Sequence, residues 1–227
     1  MTKNVVEKTD DLVKINTMLV SVSDKSGLEA LIPGMVALNP DLVILSTGGT
    51  FGQLKEILGD KASCHLRQVS DYTGQPETQG GLVKTLDFKI YLGLLTETYN
   101  PAHQADLERT DARSIDMVVV NLYPFSETIA RVGVTLEEAR GNIDIGGPTM
   151  IRAAAKNFIR VAPVVDPSAY AEMLEKLRAR QGALTLGDRF ELACHAFEHT
   201  AAYDRAIADY LAERSNTELL ASYIPGE

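Results

Sequence analysis

No stretch of the 227-residue chain approaches the ~20 consecutive apolar residues a bilayer-spanning helix needs, which excludes an integral helical membrane protein. The opening Met1-Thr2-Lys3-Asn4 lacks the basic-then-apolar layout of an export signal, so the expected compartment is the cytoplasm. Cysteine is scarce. Cys64 and Cys194 show no metal-ligand or redox spacing and read as two reduced thiols of a cytosolic protein. Basic runs are missing too: 22 Lys+Arg face 31 Asp+Glu, a net charge of −9, which argues against a nucleic-acid surface. A small anionic ligand stays open, because it answers to the field of its pocket and not to the whole-chain sum. Repeats and low-complexity segments are also absent.

What is present is 45% hydrophobic content, enough for one sizeable core. Strand-like apolar runs alternate with helical patterns. Candidate strands are Met18–Ser21, Leu42–Ser46, Met117–Asn121 and Val161–Val165, with a weaker one in 61–70. Leu42-Val43-Ile44-Leu45 and Val118-Val119-Val120 are continuously apolar, as strands covered on both faces are. Helices are expected over 26–38, 49–58, 101–112, 135–141 and 148–157, the first broken at Pro33-Gly34. The alternation predicts an α/β fold with a mainly parallel sheet flanked by helices. Residues 1–15 read as a flexible leader and 16–166 as an α/β nucleotide-binding domain. Residues 167–227 read as a helical extension on the same domain, all-helical over 167–215, with Asp166-Pro167-Ser168 capping one helix and 187–213 forming a long one.

Ligands on such sheets bind beyond the carboxyl ends of the strands. The loop Ser21-Val22-Ser23-Asp24-Lys25-Ser26-Gly27 offers hydroxyls, a cation and a helix start. The loop Ser46-Thr47-Gly48-Gly49-Thr50 offers paired glycines, whose N–H groups an anion can approach, and the hydroxyls of Thr47 and Thr50. Either loop alone is also compatible with an ordinary strand-to-helix turn. Two at consecutive strand ends favour a phosphate site.

Three more segments set polar groups beside apolar runs. Val83-Lys84-Thr85 follows Gly80-Gly81-Leu82. Asn121-Leu122-Tyr123 ends the strongest strand. Asp144-Ile145-Gly146-Gly147 precedes a helix begun by Pro148 and carrying Lys156. Singly, Asp144 could cap that helix, Tyr123 could be a core aromatic and Lys156 could face solvent. Lys156 also lies about 12 Å along the axis from Pro148, so it meets a ligand at the helix start only if that ligand extends along the helix, or if a neighbouring subunit places it. His195 and His199 are spaced i,i+4, but no third ligand accompanies them, and packing is the simpler role.

Taken together, Ser21–Leu28, Ser46–Thr50, Val83–Leu86, Asn121–Phe125, Ile143–Gly147, Arg152–Asn157 and His199–Asp204 resemble the inosine monophosphate (IMP) cyclohydrolase domain, the amino-terminal part of the bifunctional purine-synthesis enzyme. The resemblance implies a methylglyoxal-synthase-like fold with no cofactor and no metal. The reaction it implies is dehydrative ring closure of 5-formamidoimidazole-4-carboxamide ribotide to IMP. It places the catalytic group on Lys84, Tyr123, Asp144 and Lys156. It places nucleotide contacts on Ser21, Ser23, Asp24, Lys25, Ser26, Thr47, Gly48, Gly49, Thr50, Val83, Thr85, Asn121, Leu122, Ile145, Gly146 and Gly147. It further implies a homodimer and a stand-alone cyclohydrolase fed by a separate formyltransferase. The chain departs from the family where Leu82 replaces an arginine, Asp87-Phe88 replaces His-Pro, Tyr91-Leu92 replaces His-Gly and Phe158 replaces a histidine. The departures leave open a nucleotide sensor that has lost catalysis, and the shared fold leaves open a lyase akin to methylglyoxal synthase, which the Asn121–Phe125 and Ile143–Gly147 segments argue against.

Overall fold

Strand-forming runs separated by helical segments leave little choice but a sheet wound in parallel. The structure, a computed structural model, describes residues 5–75 and 83–223. The strands are β1 (Val13–Lys14), β2 (Thr17–Val22), β3 (Val43–Ser46), β4 (Leu66–Gln68), β5 (Met117–Asn121), β6 (Ala162–Val164) and β7 (Ala183–Leu184). Five of them form one parallel sheet in the order β4-β3-β2-β5-β6. The chain winds outward from β2 to β4, then returns to lay β5 on the other side of β2. That reversal opens a crevice between the carboxyl ends of β2 and β5, where Val22 stands opposite Asn121.

The helices are α1 (Leu28–Leu38), α2 (Gly48–Leu58), α3 (Ala62–His65), α4 (Val69–Thr73), α5 (Phe88–Leu95), α6 (Pro101–Thr110), α7 (Phe125–Ile129), α8 (Leu136–Gly141), α9 (Gly146–Lys156), α10 (Tyr170–Ala179), α11 (Leu186–Ala212) and α12 (Asn216–Ser222). None among the described residues is long and apolar enough to cross a membrane.

Successive strand residues feed opposite cores, which is why the strands read as unbroken apolar runs. Met18, Val20, Ile44, Met117 and Val119 face one layer with α1, α2 and α10. Leu19, Leu45, Val118 and Val120 face the other with α5, α9 and α11. A third cluster joins Phe125 of α7, Ala139 of α8 and Tyr210 of α11.

The weaker strand expected in 61–70 is present as the three-residue β4 between short helices. Three expectations are corrected. α1 runs through Pro33 unbroken, because Pro33 lies on the exposed side while Leu28, Leu31, Ile32, Met35 and Val36 anchor the helix on both sides of it. The region 167–215 is not all-helical, since β7 pairs antiparallel with β1, a two-residue ladder too short to show periodicity. Nor is the leader loose throughout. Arg189 of α11 is fully buried and donates to the carbonyls of Asp10, Asp11, Leu184, Phe158 and Ile159, so its guanidinium fixes the chain just before β1. Cys64 and Cys194 are both exposed and unpaired.

Candidate active site

Beyond the carboxyl ends of β2, β3 and β5 lies a cleft of about 380 Å³. Its first wall is made by the loops after β2 and β3. Asn121 closes β5 and turns its amide to the β2 loop: Ser23 and Asp24 donate their N–H groups to its Oδ1 at 2.6 and 2.9 Å, and its Nδ2 donates to the Asp24 carbonyl at 2.8 Å. Thr50 holds the same loop from α2, its hydroxyl accepting from the Val22 N–H at 3.1 Å and donating to the Val22 carbonyl at 3.0 Å. The Ser21 and Thr47 hydroxyls stand 3.3 Å apart. These side chains shape the loop, and the surfaces left to a ligand are mainly those of Ser23, Lys25 and the start of α2.

Thr47 makes no side-chain cap on α2, which leaves first-turn N–H groups for an anion. Gly48 has φ +49°, and a Cβ there would sit 3.3 Å from Lys84 Nζ. Lys84 therefore lies over the glycine turn, adding its charge to the helix start. The Ser26 hydroxyl and N–H engage the exposed Asp24 carboxylate and hold its pKa below the usual carboxylate range.

The second wall is the turn into α9. Asp144 Oδ1 accepts from the Gly147 N–H at 3.0 Å, so it does cap this helix, and its second oxygen crowds the place a Cβ on Gly147 would occupy. Burial pushes the Asp144 carboxyl above its ordinary value, against hydrogen bonds from Gly147 and Gly146 and the charge of Lys84. The Asp144 N–H donates to the Tyr203 hydroxyl of α11 at 2.8 Å. Thr85 lies against Gly146, where an added Cβ would stand 2.5 Å from its hydroxyl. Tyr123 is 47% exposed on the cleft rim.

Of the expected site residues, Ser21, Ser23, Lys25, Thr47, Gly49, Thr50, Lys84, Thr85, Asn121, Tyr123, Asp144, Ile145, Gly146 and Gly147 line this one cleft. Gly48 lies beneath Lys84. Asp24 and Leu122 line an adjoining cavity of about 470 Å³ that shares Ser23 and Asn121. Ser26 and Val83 are exposed and do not line the cleft. Lys156 is not brought there either; it is exposed at the far end of α9, as the rise of the helix requires. Leu82 lies outside the described residues.

Val22, Gly141, Ile143 and Met150 on the cleft wall, which carry no polar signal, were not among the expected site residues, nor was Tyr203, which sequence reasoning placed in the His199–Asp204 segment without a role for its hydroxyl. Three departures from the family acquire local reasons. Asp87 is buried and caps α5, accepting from the Lys89 N–H at 2.7 Å. Tyr91 donates to Thr149 Oγ1 at 2.8 Å, and Thr149 donates to the Ile145 carbonyl at 2.8 Å. Phe158 stacks edge-on against Phe190 with centroids 5.2 Å apart. His199 is half-buried, and its Nε2 has no hydrogen-bond partner among the described residues. Among the described residues no group of three or more His, Cys, Asp and Glu is placed to hold a metal.

Comparison with known proteins gives the same outline. Residues 28–149 match the MGS-like domain, and residues 154–225 match the AICARFT/IMPCHase bienzyme. The chain is 47% identical to the bifunctional purine biosynthesis protein PurH of Prochlorococcus marinus (strain MIT 9211), over 86% of this chain and 36% of that protein. Against PurH of Magnetococcus marinus the identity is 45% over 90% of this chain and 37% of the relative, and against PurH of Nostoc punctiforme 48% over 85% and 36%. The chain thus spans little more than a third of the length of these relatives. The crystal structure of ForH superposes with a TM-score of 0.75 at 30% identity, covering 86% of this chain and 96% of ForH.

Proposed function

From the premise that this chain belongs to the MGS-like domain family and shares it with the PurH proteins of purine biosynthesis, we propose that it is an IMP cyclohydrolase, closing 5-formamidoimidazole-4-carboxamide ribotide to IMP and water. One observation carries the reading: a single cleft at the sheet's reversal joins an anion-attracting end, formed by Lys25, Lys84 and the start of α2, to a half-buried carboxylate at Asp144. A ribotide has that polarity, with phosphate at one end and a base needing acid–base help at the other.

The reaction is intramolecular, so bringing the reactants together contributes little, and the site selects the rotamer that aims the formyl carbon at the carboxamide nitrogen. The nitrogen forms a bond to the formyl carbon and releases its proton to Asp144. The formyl oxygen, oriented by Tyr123 and Lys84, takes that proton from Asp144 and becomes a hydroxyl. A second proton, supplied by Lys156, lets the carbon–oxygen bond break and water depart, while the former formamide nitrogen gives up its own proton to form the ring C=N bond, which restores the Lys156 ammonium.

Lys156 performs this step from a second copy of the chain, in a homodimer. Its position outside its own chain's cleft supports this, as do exposed aromatics of α11 that meet Arg152 and Phe158, on either side of it in the chain. Phe190 and Phe197 are 53% and 39% exposed on α11, the first stacked on Phe158 and the second under Arg152 at 5.5 Å. The substrate comes from a separate formyltransferase activity, which adds the formyl group this reaction consumes.

The same position of Lys156 favours a second reading, a nucleotide-binding protein without turnover. Incubating the purified chain with the formamido ribotide and following ultraviolet absorbance separates the two. Growth of purine absorbance well above a protein-free control is expected. IMP binding with no absorbance change would establish the sensor instead.

A further inference from the structure

Helix α11 packs against α9, β6 and α7 and reaches the acidic turn with one hydroxyl. Tyr203 Oη accepts the Asp144 N–H at 2.8 Å and faces the Asn142 carbonyl, to which it donates, at 3.3 Å. It thereby satisfies both backbone groups of the turn that would otherwise lack partners. Its ring packs edge-on to Phe125 with centroids 6.2 Å apart, and Phe125 follows Tyr123-Pro124 in the chain. A single side chain thus touches the two segments that carry Asp144 and Tyr123.

We propose that Tyr203 is a positioning residue for the ring closure, fixing the Asp144 carboxylate at the depth and angle at which it meets the carboxamide; the proposal rests on the cyclohydrolase reading. With the Asp144 N–H anchored to Tyr203 and Oδ1 held by the Gly147 N–H, the carboxylate cannot swing outward to water. The groups facing Asp144 are Lys84 from the preceding loop, Tyr91 from α5 and Tyr203 from α11, with Tyr123 beyond Tyr203. Burial keeps the Tyr203 phenol above its ordinary pKa, so it stays a neutral hydroxyl able to accept and donate at once. Loss of the hydroxyl frees the turn, admits water to Asp144 and lowers that group toward an ordinary carboxylate. The ring and its packing persist in Tyr203→Phe.

The test compares wild type, Tyr203→Phe and Tyr210→Phe. Tyr210 supplies a second ring edge-on to Phe125 at 5.8 Å in the same cluster, but among the described residues makes no hydrogen bond to the turn. For Tyr203→Phe we expect kcat to fall about tenfold or more, KM to stay within about threefold, and the acidic limb of the kcat profile to move to lower pH. Tyr210→Phe should match wild type in all three. Calorimetric binding of IMP across pH gives a readout without turnover, in which the pH midpoint for Tyr203→Phe also moves down. Unchanged kcat and unmoved midpoints in Tyr203→Phe would overturn the proposal. Wild type that binds IMP but makes no purine would end the cyclohydrolase reading alone, leaving the binding midpoint to judge Tyr203. Wild type with neither turnover nor binding would end both.

Discussion

The two walls of the cleft differ in how completely the chain itself finishes them. On the β2–β3 wall, Asn121 and Thr50 hold the loops within the chain, and the uncapped start of α2 lies beside Lys84. On the α9 wall, Asp144 is positioned by Tyr203 and Gly147, but Lys156, the partner assigned to it, is exposed at the helix's other end. On the proposed reading, phosphate binding is local to one chain, while the chemistry draws Lys156 from a second copy. The first wall alone fits a nucleotide-binding module, and the proposal of an enzyme rests on the second.

The sharpest way to break that contrast is to disable the second wall twice and mix the products. Asp144→Asn and Lys156→Ala should each cut kcat by about 100-fold or more, the range for a lost acid or base, with IMP affinity largely kept. If Lys156 serves a partner's cleft, mixing the two variants through reversible dissociation restores one intact site in each hybrid dimer, roughly a quarter of wild-type activity at random assortment. A mixture no more active than its parents would place both residues in one chain's site, against the geometry described above.

The first wall should fail in binding and not in chemistry. Asn121→Ala leaves two N–H groups and a carbonyl of the β2 loop without their partner, each costing about 1 kcal/mol where water reaches it. IMP affinity should fall about tenfold by calorimetry, with kcat at saturation within about threefold. A kcat loss as large as that of Asp144→Asn would erase the distinction between the walls. Gly48→Ala should do less. The left-handed backbone at φ +49° costs a non-glycine residue about 1 kcal/mol, and the new methyl displaces only the flexible tip of Lys84. About a threefold loss of IMP affinity, with a small drop in unfolding free energy, is expected.

The same contrast governs what was legible beforehand. The first wall could be read because Ser, Thr and paired Gly at strand ends are local signals, and the strands behind them are continuous apolar runs. The roles within it were less legible: Asn121 and Thr50 read as ligand contacts, yet their hydrogen bonds go to the β2 loop across 98 and 28 residues of sequence, a pairing that only the β2–β5 and β2–β3 registers reveal. On the second wall the rise of an α-helix already set Lys156 apart from Asp144. The role of Tyr203 was not legible because its bond spans 59 residues, and a tyrosine on an amphipathic helix shows nothing of its hydroxyl's partner. Pro33 misled for a related reason: the penalty of a helical proline depends on which side it faces, and that is set by tertiary burial.

The smallest expected effect separates the cost of the second wall from its use. Burial is the largest influence on Asp144 and raises its folded pKa, so folding disfavours the charged form. The sign follows from proton linkage. Between the ordinary carboxylate value and the raised one, the folded chain binds more protons than the unfolded chain, and stability falls as pH rises through that window. Above it the penalty is constant; below it the penalty vanishes. Asp144→Asn keeps an oxygen to cap the Gly147 N–H and carries no charge to bury, while it forgoes the attraction of Lys84. The variant should therefore melt slightly above wild type at neutral pH, with the gap closing as the medium is acidified toward the ordinary carboxylate value. A variant less stable than wild type at neutral pH would mean that Lys84 outweighs burial, and that the acidic turn is held by its ion partner more than by α11.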